Sequence, residues 1–402
     1  MKRYAKITPE GTKDSLFAEC AAQAAVQGKL TQVFESYGYA PVMTPHLEFQ
    51  DVFLRQSADW LAERLYHATD STGHLLVLRP DNTLPIARVA ATRLREAAFP
   101  LRLYTHQSVF RRSRFYSGRN DEIRQSGVEL LGAQGLRADL EILLCAVDAL
   151  RACESPRFRL ELGHAGVFRS LADALQPDED TRAALVRCIE TKNYPALEAL
   201  LAPLGGSDEA EALRQLPRLF GGAEVLAKAE KLFRGTQAGA ALLYLQRLYA
   251  ALQALDLQDV IDIDLGLVHG QDYYTGFVFR GYMEGSGVTL LSGGRYDGLL
   301  AEFGRPAAAV GFAVGSEPLA EALLESGKVP AQPAPDVLIF APAGLEATAL
   351  AHMAQRRGEG LRCELAMVET MEEARQYARR CGIAKIAVVA GEDIMEDVEV
   401  RA

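Results

Sequence analysis

The chain has 402 residues, 49% hydrophobic and 24% charged, enough to bury at least one large core. Its 43 basic and 53 acidic residues leave a formal net charge of −10. That balance argues against a broad nucleic-acid-binding face, which needs clustered Lys and Arg to displace counterions. No apolar run approaches the roughly 20 residues that span a bilayer, and the start, MKRYAKITPEGTKD, lacks the apolar stretch of a signal peptide. A cytoplasmic protein is expected.

A helix is predicted over residues 14–37, with Leu16, Phe17, Cys20, Ala24, Leu30, Phe34 and Tyr37 as its apolar stripe and Gly38 as its stop. PVMTPHLEF carries Pro41 and Pro45 and reads as an extended edge segment. HLLVLRPDNT is one candidate strand. LRLYTHQSVFRRSR and DEIRQSGVELLG pair through a connection around 115–120. A helix over about 138–152 and an alternating strand, RFRLELG, follow.

From about 167 to 257 the pattern turns Ala- and Leu-rich with helical spacing, a helical insertion. VIDIDLG, YYTGFVFRGY and AAAVGFAVG then resume the sheet. PAQPAP at 330–335 marks a linker, and the tail beyond it reads β-α-β-α-β, a small α/β domain. Six cysteines (Cys20, Cys145, Cys153, Cys188, Cys363 and Cys381) include no CxxC pair, so reduced structural thiols are expected and neither a metal nor a cofactor.

Several segments carry candidate chemistry. In IRQSGVELLG, Gln125, Gly127 and Glu129 share one strand face, so an amide and a carboxylate flank a glycine gap that suits a small polar ligand such as an imidazole. By itself the segment reads as a solvated sheet face. In RPDNT, Asp81 and Thr83 share a face if the piece is extended, and could hold an α-ammonium group; a strand-end turn is the plainer reading. FRRSRFYSGRN places Arg111, Arg112, Arg114 and Arg119 in one loop, suited to carboxylate or phosphate recognition or to a soluble hairpin. LVHGQDYYTG offers His269, Tyr273 and Tyr274, and in a regular strand only one tyrosine would reach a pocket. In SGGRYDGL, Gly293 and Gly294 allow close backbone approach.

Together, PEGTKD, VLRPDNT, FRRSRFYSGRNDEIRQSGVELLG, DYYTG and GGRYDGLL resemble histidyl-tRNA synthetase along residues 1–325. The resemblance implies an α+β, class II aminoacyl-tRNA synthetase-like fold: an antiparallel sheet flanked by helices with a helical insertion, over 1–329, and a homodimeric core. Residues 330–402 would be a short counterpart of the anticodon-binding domain. It also implies that Asp81, Thr83, Gln125, Glu129, Tyr273 and Tyr274 hold histidine, and that Arg111 meets the carboxylate and α-phosphate.

The departures are specific. Pro318 stands at the third-motif arginine that contacts ATP, Ser113 at a second-motif glutamate, and His269 at a histidine-specific catalytic arginine. Losing one cation at a phosphoryl site costs roughly 100-fold or more. TPEGTKD, LEFQDVF, RPDNTLPIARVAAT, YYTGFVFRGY and SGGRYD are more similar to the regulatory-subunit family of ATP phosphoribosyltransferase than to the ligase. That resemblance implies a chain without catalytic residues, partnered by a short-form ATP phosphoribosyltransferase catalytic subunit and binding L-histidine. A divergent histidine–tRNA ligase and a histidine-binding module with some other partner are the alternatives.

Overall fold

The computed structural model describes residues 4, 6–54, 64–113, 120–155, 157–268, 273–285, 288–329, 334–391 and 395–400. The chain divides into two compact units, Met1–Pro330 and Ala331–Ala402.

The first unit opens with helix α1 (Phe17–Ser36), strands β1 (Ala40–Pro41) and β2 (Leu47–Phe49), and the single turn α2 (Asp51–Leu54). Strands β3 (Tyr66–Thr69) and β4 (Leu75–Leu78) lead to α3 (Thr83–Ala91), then to the antiparallel pair β5 (Leu101–Phe110) and β6 (Glu122–Leu131). Helix α4 (Leu136–Ala152) and β7 (Phe158–His164) follow. The helical insertion comprises α5 (Ala165–Leu175), α6 (Glu179–Glu190), α7 (Tyr194–Leu201), α8 (Asp208–Gln215), the two-residue strand β8 (Phe220–Gly221), α9 (Ala223–Leu232) and α10 (Gly239–Gln253). Strands β9 (Ile261–Asp264), β10 (Phe277–Met283) and β11 (Leu291–Arg295), the short α11 (Leu299–Glu302), β12 (Ala309–Gly315) and α12 (Ser316–Glu325) complete it.

Nine strands form one sheet in the order β1-β5-β6-β12-β11-β10-β7-β9-β8, antiparallel except at β1–β5 and β7–β9. The two-residue side-chain period of its strands splits the apolar residues between two cores. Tyr104, Val128, Leu130, Phe279 and Phe312 pack against α1, α4 and α12. Leu103, Leu131 and Val278 face the other way, toward α3, α11, Tyr274 and Tyr296. A second, three-stranded sheet has the order β2-β4-β3. β1, which ends on Pro41, and β2, which begins two residues after Pro45, both lie at sheet edges, as PVMTPHLEF predicts.

Two local expectations are corrected. The buried stripe of α1 is Ala22, Val26, Leu30 and Phe34, one residue every four along a single line of the helix. Leu16, Phe17, Cys20 and Ala24 are exposed, because the helix begins only at Phe17 and its early apolar residues fall off that line. RPDNT is not extended. The chain bends after β4, and Thr83 opens α3, whose Pro85 sits in the first turn, where an amide hydrogen would lack a partner anyway.

Arg295 ties the sheet to the helices. It and Asp139 of α4 are buried, and Arg295 Nε donates to Asp139 Oδ1 at 2.9 Å while its Nη2 reaches the same oxygen. Arg295 Nη1 donates to Asp297 Oδ1 at 2.9 Å and to the Ala133 carbonyl at 3.2 Å. The Tyr244 hydroxyl of α10 donates to Asp139 Oδ2. Burial raises the Asp139 carboxyl, against the pull of Arg295.

In the second unit, strands β13 (Val337–Phe340), β14 (Cys363–Leu365), β15 (Lys385–Val389) and β16 (Met395–Glu399) form a sheet of order β14-β13-β15-β16. The first three strands are parallel, and β16 joins antiparallel. Helices α13 (Glu346–Gly358) and α14 (Met371–Cys381) cover opposite faces: Val337 and Ile339 pack with Ala349 and Met353, while Leu338 and Phe340 pack with Ala374 and Ala378. Burial on both faces is why β13 reads as an unbroken apolar run. All six cysteines are free.

Arg295→Ala leaves Asp139 buried without its counter-ion. A loss of about 3–5 kcal/mol is expected, read as a lower denaturant midpoint with unchanged slope. A loss under 1 kcal/mol would show that the pair carries no load.

Candidate functional site

The site lies on the sheet face turned away from α1, α4 and α12. A line of mutually opposed residues crosses six strands there: Leu103, Glu129, Gly311, Gly294, Val278 and Gly163. Half of this row is glycine, for spatial reasons. A Cβ at Gly311 would overlap the Glu129 carboxylate that lies across it, and one at Gly294 would come within 2.9 Å of the Tyr274 ring. The next row contains Thr105, Gly127 and Ala313, and the one after it Gln107, Gln125 and Gly315. Small residues thus floor the space between Glu129 and Gln125, about 13 Å apart at the rise of an extended strand.

Glu129 is buried, and both its oxygens are engaged. The Thr83 hydroxyl donates to Oε1 at 2.7 Å, and the Tyr296 hydroxyl donates to Oε2. Burial pushes this carboxyl up to about 7. The bonds from Tyr296 and Thr83 oppose that rise, and the nearby Asp81 charge adds to it. Asp81 lies in the bend before α3, where its Oδ1 accepts the Leu84 amide at 3.1 Å. Burial raises its carboxyl too, and the Arg111 guanidinium pulls it back. Arg111 is anchored through Nε to the Pro80 carbonyl at 2.6 Å.

Tyrosines form the remaining wall. The rings of Tyr273 and Tyr274 lie 4.8 Å apart, and Tyr296 meets Tyr273 edge-on at 5.8 Å. Asp81 and Tyr273 are surrounded by protein, yet both keep part of their surface in contact with solvent. Two carboxyl groups and a cluster of aromatic rings suit a small cationic ligand rich in hydrogen-bond donors.

The sequence model of the histidyl-tRNA synthetase family matches residues 11–319. The ATP phosphoribosyltransferase regulatory subunit of Symbiobacterium thermophilum is 40% identical over 382 residues, 94% of this chain and 95% of that one. That of Clostridium kluyveri is 36% identical over 381 residues, 94% and 97% of the two chains. The chain belongs to the family of ATP phosphoribosyltransferase regulatory subunits.

Solved structures agree with the family. The ATP phosphoribosyltransferase regulatory subunit/histidyl-tRNA synthetase from Bacillus halodurans superposes with a TM-score of 0.81 at 30% identity, covering 97% of this chain and 100% of that one. The histidyl-tRNA synthetase of Nostoc, at 21% identity and a TM-score of 0.73, covers 98% of this chain and 97% of its own and shares the fold. The class II synthetase-like fold expected from the motifs is the fold of this family.

The structure gathers Asp81, Thr83, Arg111, Glu129, Tyr273 and Tyr274 at one place, with Gln125 further along the same face. It does so by a different local route than the sequence suggests. Thr83 arrives on a helix, and the tyrosines precede β10, so both rings share a wall where a strand would have separated them. Tyr296 was missed: it stands inside GGRYDGLL, a string read for its glycines. Arg295 and Tyr296 part company at the end of β11, one to the helix layer and one to Glu129.

Ser113 binds Asp121, amide to Oδ1 at 2.8 Å and hydroxyl to the same oxygen at 2.5 Å, while the Tyr66 hydroxyl donates to Oδ2. Burial works against ionisation of Asp121, but these bonds outweigh it and lower the carboxyl. Pro318 is the third residue of α12, in a first turn that tolerates proline. His269, Arg114 and Arg119 lie outside the described residues. Among the described residues, no cluster of three or more His, Cys, Asp or Glu could hold a metal ion, and no helix is long and apolar enough to cross a membrane.

The raised Glu129 carboxyl makes folding pH-dependent. A glutamate near 4.5 when unfolded and near 7 when folded binds more protons in the native state between those values. Its contribution is therefore complete below about pH 4.5 and is lost as the pH rises through 7. Relative to Glu129→Gln, the natural chain should lose stability from pH 5 to pH 8 in urea titrations. Parallel curves for the two proteins would rule out this assignment.

Proposed function

We propose that this chain is the non-catalytic regulatory subunit of ATP phosphoribosyltransferase, required for activity of a short-form catalytic subunit and responsible for feedback inhibition by histidine. The observation that carries the reading is the gathering of Asp81, Thr83, Arg111, Glu129, Tyr273 and Tyr274 at one place on the sheet, in a chain that has Pro318 in the first turn of α12. The pocket offers two carboxyl groups and tyrosine walls to an ammonium and an imidazole. Pro318 replaces the cation that the ligase resemblance would put on ATP. The regulatory-subunit names of relatives 32–40% identical over nearly the whole chain support the same reading.

In this account Asp81 and Thr83 take the α-ammonium group, Glu129 and Gln125 the imidazole, Arg111 the carboxylate, and Tyr273 and Tyr274 the ring face. Histidine stabilises one of two conformations, and inhibition follows from the difference in affinity between them. The second unit is a shortened relative of an anticodon-binding domain without that role, since acidic residues outnumber basic ones over 331–402. The protein works in the cytoplasm.

Mixing the purified chain with the short-form phosphoribosyltransferase of the same genome should restore turnover, and histidine should reverse it. Gln125→Ala should weaken inhibition about tenfold while the complex still forms. Absence of both activation and complex would sink the proposal, and histidine-dependent ATP–pyrophosphate exchange would then establish the ligase.

The core pairs with a second copy of itself in this reading. One face of the three-stranded sheet supports it: Leu47 and Phe49, 46% and 54% exposed, stand opposite Leu78 and Leu76, and Met43 nearby is 82% exposed. An apolar sheet face this open calls for a cover. Phe49→Asp should shift the sedimenting mass from dimer to monomer without lowering Tm, whereas an unchanged dimer would place the interface elsewhere.

A further inference from the structure

The pocket's tyrosine turn is fastened to the helical insertion. Arg169, on the first insertion helix α5, donates from Nη2 to the Tyr274 carbonyl at 2.5 Å. The Ala165 amide, at the start of the same helix, donates to the Gly276 carbonyl at 2.9 Å. On the opposite side the Thr275 amide donates to the Arg295 carbonyl at 2.7 Å, and the Asp297 amide to the Thr275 hydroxyl at 3.0 Å. Residues 274–276 are therefore clamped between α5 and the end of β11.

The last insertion helix reaches the same support, because Tyr244 of α10 binds Asp139, the partner of Arg295. His164, which caps α5 by accepting the Gly166 amide at 3.0 Å, lies edge-on to Tyr244 at 5.8 Å. Both ends of the insertion thus meet the frame that holds Tyr273 and Tyr274. The two contacts differ in kind. Tyr244 acts on a buried ion pair remote from ligand, whereas Arg169 acts directly on the backbone of a wall residue through a charge-assisted bond, the stronger class of hydrogen bond.

We propose that Arg169 is a positioning residue that sets the Tyr273–Tyr274 wall and makes α5 sense whether the pocket is occupied. The inference rests on the reading of this pocket as an amino-acid site. A ligand packing on the tyrosine rings fixes the Tyr274 carbonyl, and the guanidinium passes that restraint to α5. By reciprocity, restraint of α5 by a partner raises ligand affinity. The insertion is then the element through which pocket occupancy reaches the rest of an assembly.

The test is hydrogen exchange on the full chain with and without histidine, with calorimetry on the same samples. Histidine should slow exchange over 165–175 in the natural protein. In Arg169→Met, affinity should fall about tenfold, the scale of one hydrogen bond to a charged group. Saturating histidine should then leave 165–175 unprotected. Arg169→Lys should restore part of both effects, which a residue needed only for folding would not do.

If the natural chain binds no histidine, the pocket reading fails. If it binds with exchange over 165–175 unchanged, the Arg169 proposal is overturned whatever the variants do. Protection that persists in a histidine-saturated Arg169→Met overturns it as well.

Discussion

A single buried ion pair holds the architecture together. Arg295 leaves the end of a central strand and enters the helix layer, where Asp139 waits with one oxygen for the guanidinium and the other for Tyr244. Taking two charges out of water is costly, and only close geometry with further hydrogen bonds recovers that cost. Here the recovery comes from α4, α10, Asp297 and the Ala133 carbonyl, four separate parts of the chain. Because the strand backbone at Arg295 also receives Thr275, the same pair fixes the turn that carries the pocket tyrosines. The tyrosines of the candidate site are thereby supported by an ion pair that lies outside it.

Much of this arrangement was legible in the sequence, and the exceptions have physical causes. Strands such as RFRLELG and VIDIDLG announce themselves by alternation, and the insertion by its change of period. Gly127 and Glu129 could be placed on one face because a strand has a two-residue period. What periodicity could not supply is where a strand stops. RPDNT continues an apolar strand in sequence, yet Asp81 bends the chain by capping Leu84, so Thr83 approaches Glu129 from a helix. Tyr273 and Tyr274 likewise share a wall because they precede β10. Tyr296 was hidden for a related reason: at a strand end, alternation no longer fixes direction. The acidic β16 escaped notice because a strand paired at a sheet's rim needs little apolar signal.

Burial and its local offsets set the electrostatics of the candidate site. Glu129 and Asp81 are both pushed toward their neutral forms by burial, and each is offset by groups that favour the charge: Thr83 and Tyr296 for one, Arg111 for the other. Glu129, raised to about 7, is poised to ionise when a cation arrives, so binding of a cation would release its proton near neutral pH. Nothing of this kind requires a phosphate clamp. The first turn of α12 presents a proline where it could have carried a cation, which agrees with the regulatory role proposed above.

The glycine row beneath the pocket limits how this protein can change over time. Where Gly311 and Gly294 lie, even a methyl group would strike the Glu129 carboxylate or the Tyr274 ring. At these two positions no side chain fits without moving a group that lines the site, whereas Gly315 further along the floor leaves room for a methyl group. New ligand preferences have to be acquired through the rim, at the Asp81 bend, the tyrosine turn and the end of β11. The loops around the floor are free of that restriction, so the same sheet can be kept under a differently shaped rim.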